Sequence, residues 1–144
     1  MRTLYSVAGI ALLVDQLTKF LAISFVKPHG NIPIVPNVFS LSFVENSGIA
    51  FGLFQGRPEF WTLMITASVL CLLIGSWFFR HQSLSHQLAF GFILGGAIGN
   101  WIDRIHFEGV IDFLNFHIWP VFNIADSFIT IGVLLFIWFG LRAR

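Results

Sequence analysis

Four apolar runs dominate the chain, at residues 4–26, 60–79, 84–105 and 119–141. Each approaches the roughly 20 residues that a helix needs to cross a hydrocarbon core of about 30 Å. The first is interrupted by Asp15 and Lys19, the second carries no charge, the third turns polar at its far end, and the fourth contains Asn123 and Asp126. Arg2 ahead of the first run imitates a signal peptide, but Asp15 and Lys19 break that run and no small-residue cleavage site follows, so it reads as a retained helix. Between the first two runs, at about 30–57, the period drops to two: Phe39, Leu41 and Phe43 alternate with Ser40 and Ser42, and Ile49, Phe51 and Leu53 alternate with Ala50 and Gly52. That alternation, with Pro33 and Pro36 nearby, predicts a small β-hairpin turning at Asn46-Ser47-Gly48 and lying against the membrane surface or over the helix ends. The pattern as a whole predicts an all-α membrane protein, with four transmembrane helices and a small β-hairpin or cradle between helices 1 and 2, in a single domain over 1–144.

Composition narrows the class. Of 144 residues, 56% are hydrophobic and 10% charged, where a soluble domain has roughly 25% charged. A net charge of +1 gives no electrostatic footprint for nucleic acid, and one cysteine, Cys71, excludes a disulfide scaffold and reads as an inert core thiol. Four spans put both termini on one side, with Arg2, Arg80, Arg142 and Arg144 there and Lys27, Arg57 and Arg104 opposite. The positive-inside rule therefore points to cytoplasmic termini and an extracytoplasmic hairpin.

The few charges inside the spans carry the functional information. A charged side chain at the centre of a spanning helix costs about 2.5–3.5 kcal/mol on insertion scales, so Asp15, Lys19 and Asp126 must face protein or a water-filled cavity. Asp15 and Lys19, four apart, share one helix face as a neutralised pair or as a hold on a polar substrate backbone. In the third run Gly96, Asn100 and Asp103 share another face, with Arg104 beside them; packing accounts for the glycines but not for the polar cluster. Asp112 falls in a connection at 107–118, and Asp126 about seven residues into the fourth helix, at the same end of the bundle. Two carboxylates meeting in a poorly solvated site share a proton, which equips one as general base and the other as general acid. Spacing alone leaves open such a dyad, an ion or proton site, and a structural network with Arg104. His106 and His117 flank Asp112 without the spacing of a zinc site, and a Ser/Lys dyad is disfavoured because Lys19 already has Asp15 as neighbour. A proton-coupled carrier would need polar groups approaching the midplane from both sides, whereas the other halves of the second to fourth runs are apolar.

Five segments together resemble the lipoprotein signal peptidases (signal peptidase II), bacterial membrane aspartyl proteases. They are Asp15-Gln16-Leu17-Thr18-Lys19, Asn46-Ser47-Gly48-Ile49-Ala50-Phe51-Gly52, the run from Gly95-Gly96 to Asp103-Arg104, Val110-Ile111-Asp112-Phe113, and Phe122-Asn123-Ile124-Ala125-Asp126-Ser127. The resemblance implies Asp112 and Asp126 as the catalytic aspartates. It implies Asp15, Lys19, Asn46, Gly96, Asn100, Asp103, Arg104, Asn123 and Ala125 as residues that support the dyad or line the substrate and inhibitor site, with neither metal nor cofactor. Its further implications are diacylglyceryl-modified prolipoproteins as substrates, membrane lipid as surroundings, cyclic peptide antibiotics such as globomycin as inhibitors, and residence in the bacterial cytoplasmic (inner) membrane. The active site would then face the extracytoplasmic side. Ile49 departs from the family's common Ala.

Overall fold

A computed structural model describes residues 2–48, 58–107 and 109–142. It contains α1 (Arg2–Leu21), β1 (Asn31–Val35), β2 (Phe39–Asn46), α2 (Pro58–Phe79), α3 (Leu84–His106), β3 (Val110–Asn115) and α4 (Ile124–Arg142). The hairpin strand expected around Ile49, Phe51 and Leu53 lies outside the described residues, as do Arg57 and Arg144.

Three helical segments among the described residues, Arg2–His29, Glu59–Phe79 and Ile124–Arg142, are long and apolar enough to cross a membrane. α3 has the length, 23 residues or about 34 Å at 1.5 Å per residue, but is less apolar than the other three segments. Its surroundings explain the difference. Ala89, Phe90, Gly91, Leu94, Gly95, Gly96, Ala97, Gly99, Asn100 and Asp103 are all buried, because α3 lies between α1 and α4 and also touches α2. A helix wrapped by other helices needs small residues that let backbones approach, not lipid-compatible ones. A Cβ on Gly95 would strike the Ala8 carbonyl of α1, and one on Gly96 the Ala125 carbonyl of α4. α2 and α4, apolar all round, instead expose residues such as Ile74 and Leu134. Cys71 is exposed on α2 and so is not the core thiol that its apolar neighbours suggested; the helix it belongs to, without charge beyond Glu59 in its first turn, offers most of its surface outward.

The buried stripe of α1 runs Leu4, Ala8, Ala11, Asp15 and Lys19 at helical spacing. It continues as Ala22 and Val26 through a π-helical turn, Ala22–Val26, before a 3-10 turn at Lys27–His29 and Gly30 at φ +74° redirect the chain into β1. Ala22 and Val26 cluster with Phe113, and Ile32, Leu41, Phe43, Leu114 and Ile124 close over them, which seats the sheet on that end of the bundle. At the opposite end Leu4, Ala8, Phe90 and Leu94 form a second, wholly apolar cluster.

Three expectations change at the sheet. The described hairpin is β1–β2, turning at residues 36–38 with Asn37 at φ +61°, and the second neighbour of β2 is β3, in the antiparallel order β1-β2-β3. Residues 107–118 are therefore not a mere connection: Val110 pairs with Asn46 and Asp112 with Val44. The fourth helix starts at Ile124 rather than 119, because Phe122 exchanges backbone hydrogen bonds with Leu114 (2.8 and 3.1 Å) and holds the preceding segment extended behind Pro120. Asp126 is thus the third residue of α4, not a residue two turns inside it.

Candidate active site

Asp112 sits in the middle of β3 and Asp126 in the first turn of α4, and Asn123 links them. Asn123 is the N-cap of α4: its Oδ1 accepts the Asp126 N–H at 2.9 Å, while Asp126 Oδ2 accepts the Asn123 N–H at 3.4 Å, a reciprocal capping box. The same buried side chain donates from Nδ2 to Asp112 Oδ1 at 2.7 Å and to Asn100 Oδ1 at 3.1 Å. Asn46 Nδ2 donates to Asp112 Oδ2 at 3.0 Å, and Asn100 Nδ2 to Asp126 Oδ1 at 2.8 Å. Every oxygen of the two carboxylates accordingly has an N–H donor, all supplied by asparagines on β2, on α3 and ahead of α4. The amide of Asn100 is oriented by its own acceptors' needs: Oδ1 takes Lys19 Nζ at 3.0 Å as well as Asn123, so its NH2 must face Asp126.

Behind the asparagines lies a charged layer. Lys19 Nζ sits 2.9 Å from Asp15 Oδ2 and 2.7 Å from Asp103 Oδ2, with all three residues buried. Asp15 Oδ1 also accepts the Ala125 N–H at 2.9 Å, and Asp103 Oδ2 the Ile111 N–H at 3.0 Å. Arg104 points the other way. Its Nη2 donates to the Gly48 carbonyl at 2.8 Å, and its buried Nη1 has no hydrogen-bond partner among the described residues.

Asp112, Asp126, Asn46, Asn100 and Arg104 line one cavity of about 300 Å³, closed on another side by residues 119–122. A neighbouring apolar groove of about 510 Å³ shares Trp119, Phe122 and Asp126 with it. Burial, and then the charge of Asp126, push the Asp112 carboxyl up from 3.8 to about 7 against the lowering effect of the Asn46 and Asn123 hydrogen bonds. A carboxyl poised there can hold or release a proton near neutrality.

The residues singled out in the sequence come together, with two distinctions. Asp15, Lys19, Asp103 and Asn123 support the cavity from behind without lining it, and Gly96 and Ala125 also stand outside the lining, pressed against one another where α3 crosses α4, Gly96 beneath the Ala125 carbonyl. Three features escaped the sequence. Gln16 reaches Asp15 and Asp103, Gly48 holds Arg104 through its carbonyl, and residues 119–122 form a wall of the cavity. Gln16 is hidden by lying one position off the Asp15–Lys19 face; residues 119–122 are hidden inside an apolar run that reads as helix.

A sequence profile described as Signal peptidase (SPase) II matches residues 7–142. The chain is 42% identical over 137 residues to the lipoprotein signal peptidase of Halothermothrix orenii, covering 93% of this chain and 94% of that one. It is 42% identical over 142 residues to that of Syntrophotalea carbinolica, covering 92% and 86%. A solved bacterial membrane enzyme superposes with a TM-score of 0.85 at 30% identity, over 99% of this chain and 89% of the other.

Proposed function

Because the chain belongs to the signal peptidase II family of lipoprotein signal peptidases, we propose that Asp112 and Asp126 form an aspartic dyad that hydrolyses the signal peptide from diacylglyceryl-modified prolipoproteins, on the N-terminal side of the lipid-modified cysteine. The observation that carries this reading is the shared cavity: two carboxylates line it, each fully hydrogen-bonded by amides, with one of them raised to about 7. The two carboxyls share a proton and titrate as a unit. A water between the carboxylates gives its proton to the ionised one and attacks the scissile carbonyl; the protonated partner donates to the carbonyl oxygen, and a proton then passes to the leaving amine. Arg104 lines the cavity, and its Nη1, without a hydrogen-bond partner among the described residues, is the donor we assign to a substrate carbonyl. Asn46, Asn100 and Asn123 orient the carboxylates, with Asp15, Lys19 and Asp103 behind them.

In this reading α3 crosses the bilayer as a fourth span among α1, α2 and α4, the termini are cytoplasmic, and the sheet and dyad face the extracytoplasmic side of the bacterial inner membrane. The substrate's lipid lies in the bilayer beside the helices, and cyclic peptides of the globomycin type compete for the cavity. Asp112→Asn and Asp126→Asn should each lower cleavage of a diacylglyceryl prolipoprotein by at least about 10³-fold while the purified protein stays folded in detergent. Full activity in either variant sinks the dyad.

A further inference from the structure

Gln16 has no place in the roles described so far, yet its side chain sits at the junction of the charged layer. Its Nε2 lies 3.2 Å from Asp15 Oδ2, 3.1 Å from Asp103 Oδ1 and 3.3 Å from the Gly99 carbonyl, so two amide hydrogens serve acceptors that include two different carboxylates. Lys19 has already spent its three donors on Asp15, Asp103 and Asn100. One ammonium faces two carboxylates, and the neutral amide of Gln16 is the further donor that lets both remain acceptors side by side.

The remaining lone pairs of those carboxylates hold backbone rather than side chains. Asp15 Oδ1 takes the N–H of Ala125, the residue immediately before Asp126. Asp103 Oδ2 takes the N–H of Ile111, the residue immediately before Asp112. Each aspartate of the dyad is therefore tethered one residue upstream to a carboxylate of the charged layer, and the two tethers meet at Gln16 and Lys19.

We propose that Gln16 is a positioning residue: by fastening Asp15 to Asp103 it fixes the separation of the two tethered amides, and through them the spacing of Asp112 and Asp126. The inference rests on the dyad reading given above. The charged groups of these elements at the junction are Asp15 and Lys19 on α1, Asp103 and Arg104 on α3, Asp112 on β3 and Asp126 on α4, while Arg2 of α1 and Arg142 of α4 lie at the far ends of their helices. The strength with which the last two share a proton depends on their distance, so a change in spacing registers in the pH dependence of turnover as well as in its rate.

The test uses the full chain in detergent with a diacylglyceryl prolipoprotein, comparing wild type, Gln16→Met, Gln16→Glu and Asp112→Asn. Gln16→Met should lower kcat by about threefold, leave KM within about twofold and move the pH at which kcat is half-maximal, since small misplacements of reacting groups act on turnover. Gln16→Glu, which replaces a donor by a third carboxylate, should lower kcat by about 30-fold at pH 8 and recover relative to wild type in acid, where the protonated acid again offers a hydrogen. An unchanged kcat in Gln16→Met overturns the proposal. So does a loss carried in KM, or one of the same factor at every pH, as partial unfolding produces. An active Asp112→Asn instead removes the dyad on which the proposal stands, so the two failures are told apart.

Discussion

The two ends of the helical bundle are built on different physics. At the end away from the sheet, Leu4, Ala8, Phe90 and Leu94 pack with Phe79 and Phe136, the Phe79 and Phe90 rings stacked at 4.7 Å, and the Tyr5–Ser76 hydrogen bond at 3.0 Å joins α1 to α2. At the sheet end, α1, α3, β3 and α4 are cross-linked by carboxylates, an ammonium and amides with hardly an unused donor. Dispersion packing is non-directional and tolerates swaps of similar volume, whereas a buried polar network is either fully satisfied or costly. One end thus gives cohesion with little geometric demand, and the other gives geometry that only a narrow set of side chains supplies.

Breaking the network at its centre should have the largest effect on stability. Lys19→Met leaves Asp15 and Asp103 buried and uncompensated, and should cost about 3–5 kcal/mol together with nearly all peptidase activity. Thermal unfolding in detergent and the cleavage assay measure the two. If stability is kept, the polar end tolerates substitution as the apolar end does, and the contrast fails.

The next effect is in pH. Because Asp112 is raised from 3.8 to about 7 in the folded protein, its contribution to stability is fully present below about pH 4 and is lost as pH climbs through about 7. Asp112→Asn should remove that component, melting at least roughly 3 °C above wild type at pH 8 while the gap narrows toward pH 4. A gap that is constant with pH contradicts a raised carboxyl. If the proposed dyad carries the reaction, activity should decline on the alkaline side as pH passes about 7 and Asp112 loses its proton.

The smallest effect belongs to the apolar end. Phe90→Leu should lower stability by about 1 kcal/mol through lost stacking on Phe79, with kcat and KM unchanged. A change in kcat there, at constant folded fraction, would show that geometry is communicated along α3 between the two ends.

The same contrast explains what the sequence made legible. α2 is readable from end to end because an uncharged run of helical length facing lipid needs no partner to be recognised. The residues of the charged layer are readable because Asp15 and Lys19 lie where charge is costly, and helical spacing put Asp103 on one face with Gly96 and Asn100. β3 was missed: Val110-Ile111-Asp112-Phe113 is short, buried on both sides and identified as a strand only by its pairing with β2, a contact between residues 64 apart at Val110 and 68 apart at Asp112, with Asn46 and Val44 opposite them. The start of α4 was misplaced because residues 119–123 are nearly as apolar as the helix, and the backbone bonds between Phe122 and Leu114 that keep them extended are tertiary. Gln16 and the amides of Ile111 and Ala125 have no signature in residue type at all; their importance arises only from where four elements meet.

Asn123 shows how far such a meeting point narrows the choice of amino acid. A helix start alone would accept Asn, Asp or Ser about equally. Here the capping side chain must also give N–H hydrogens to Asp112 and Asn100. An aspartate would cap the helix but bring a third acid into the pair, and a serine would cap it with too short a reach and a single hydrogen for two acceptors. Of the three residues that the local rule treats as synonyms, the position is left with one, so a mutational drift that is silent at most helix starts has no neutral path through this one.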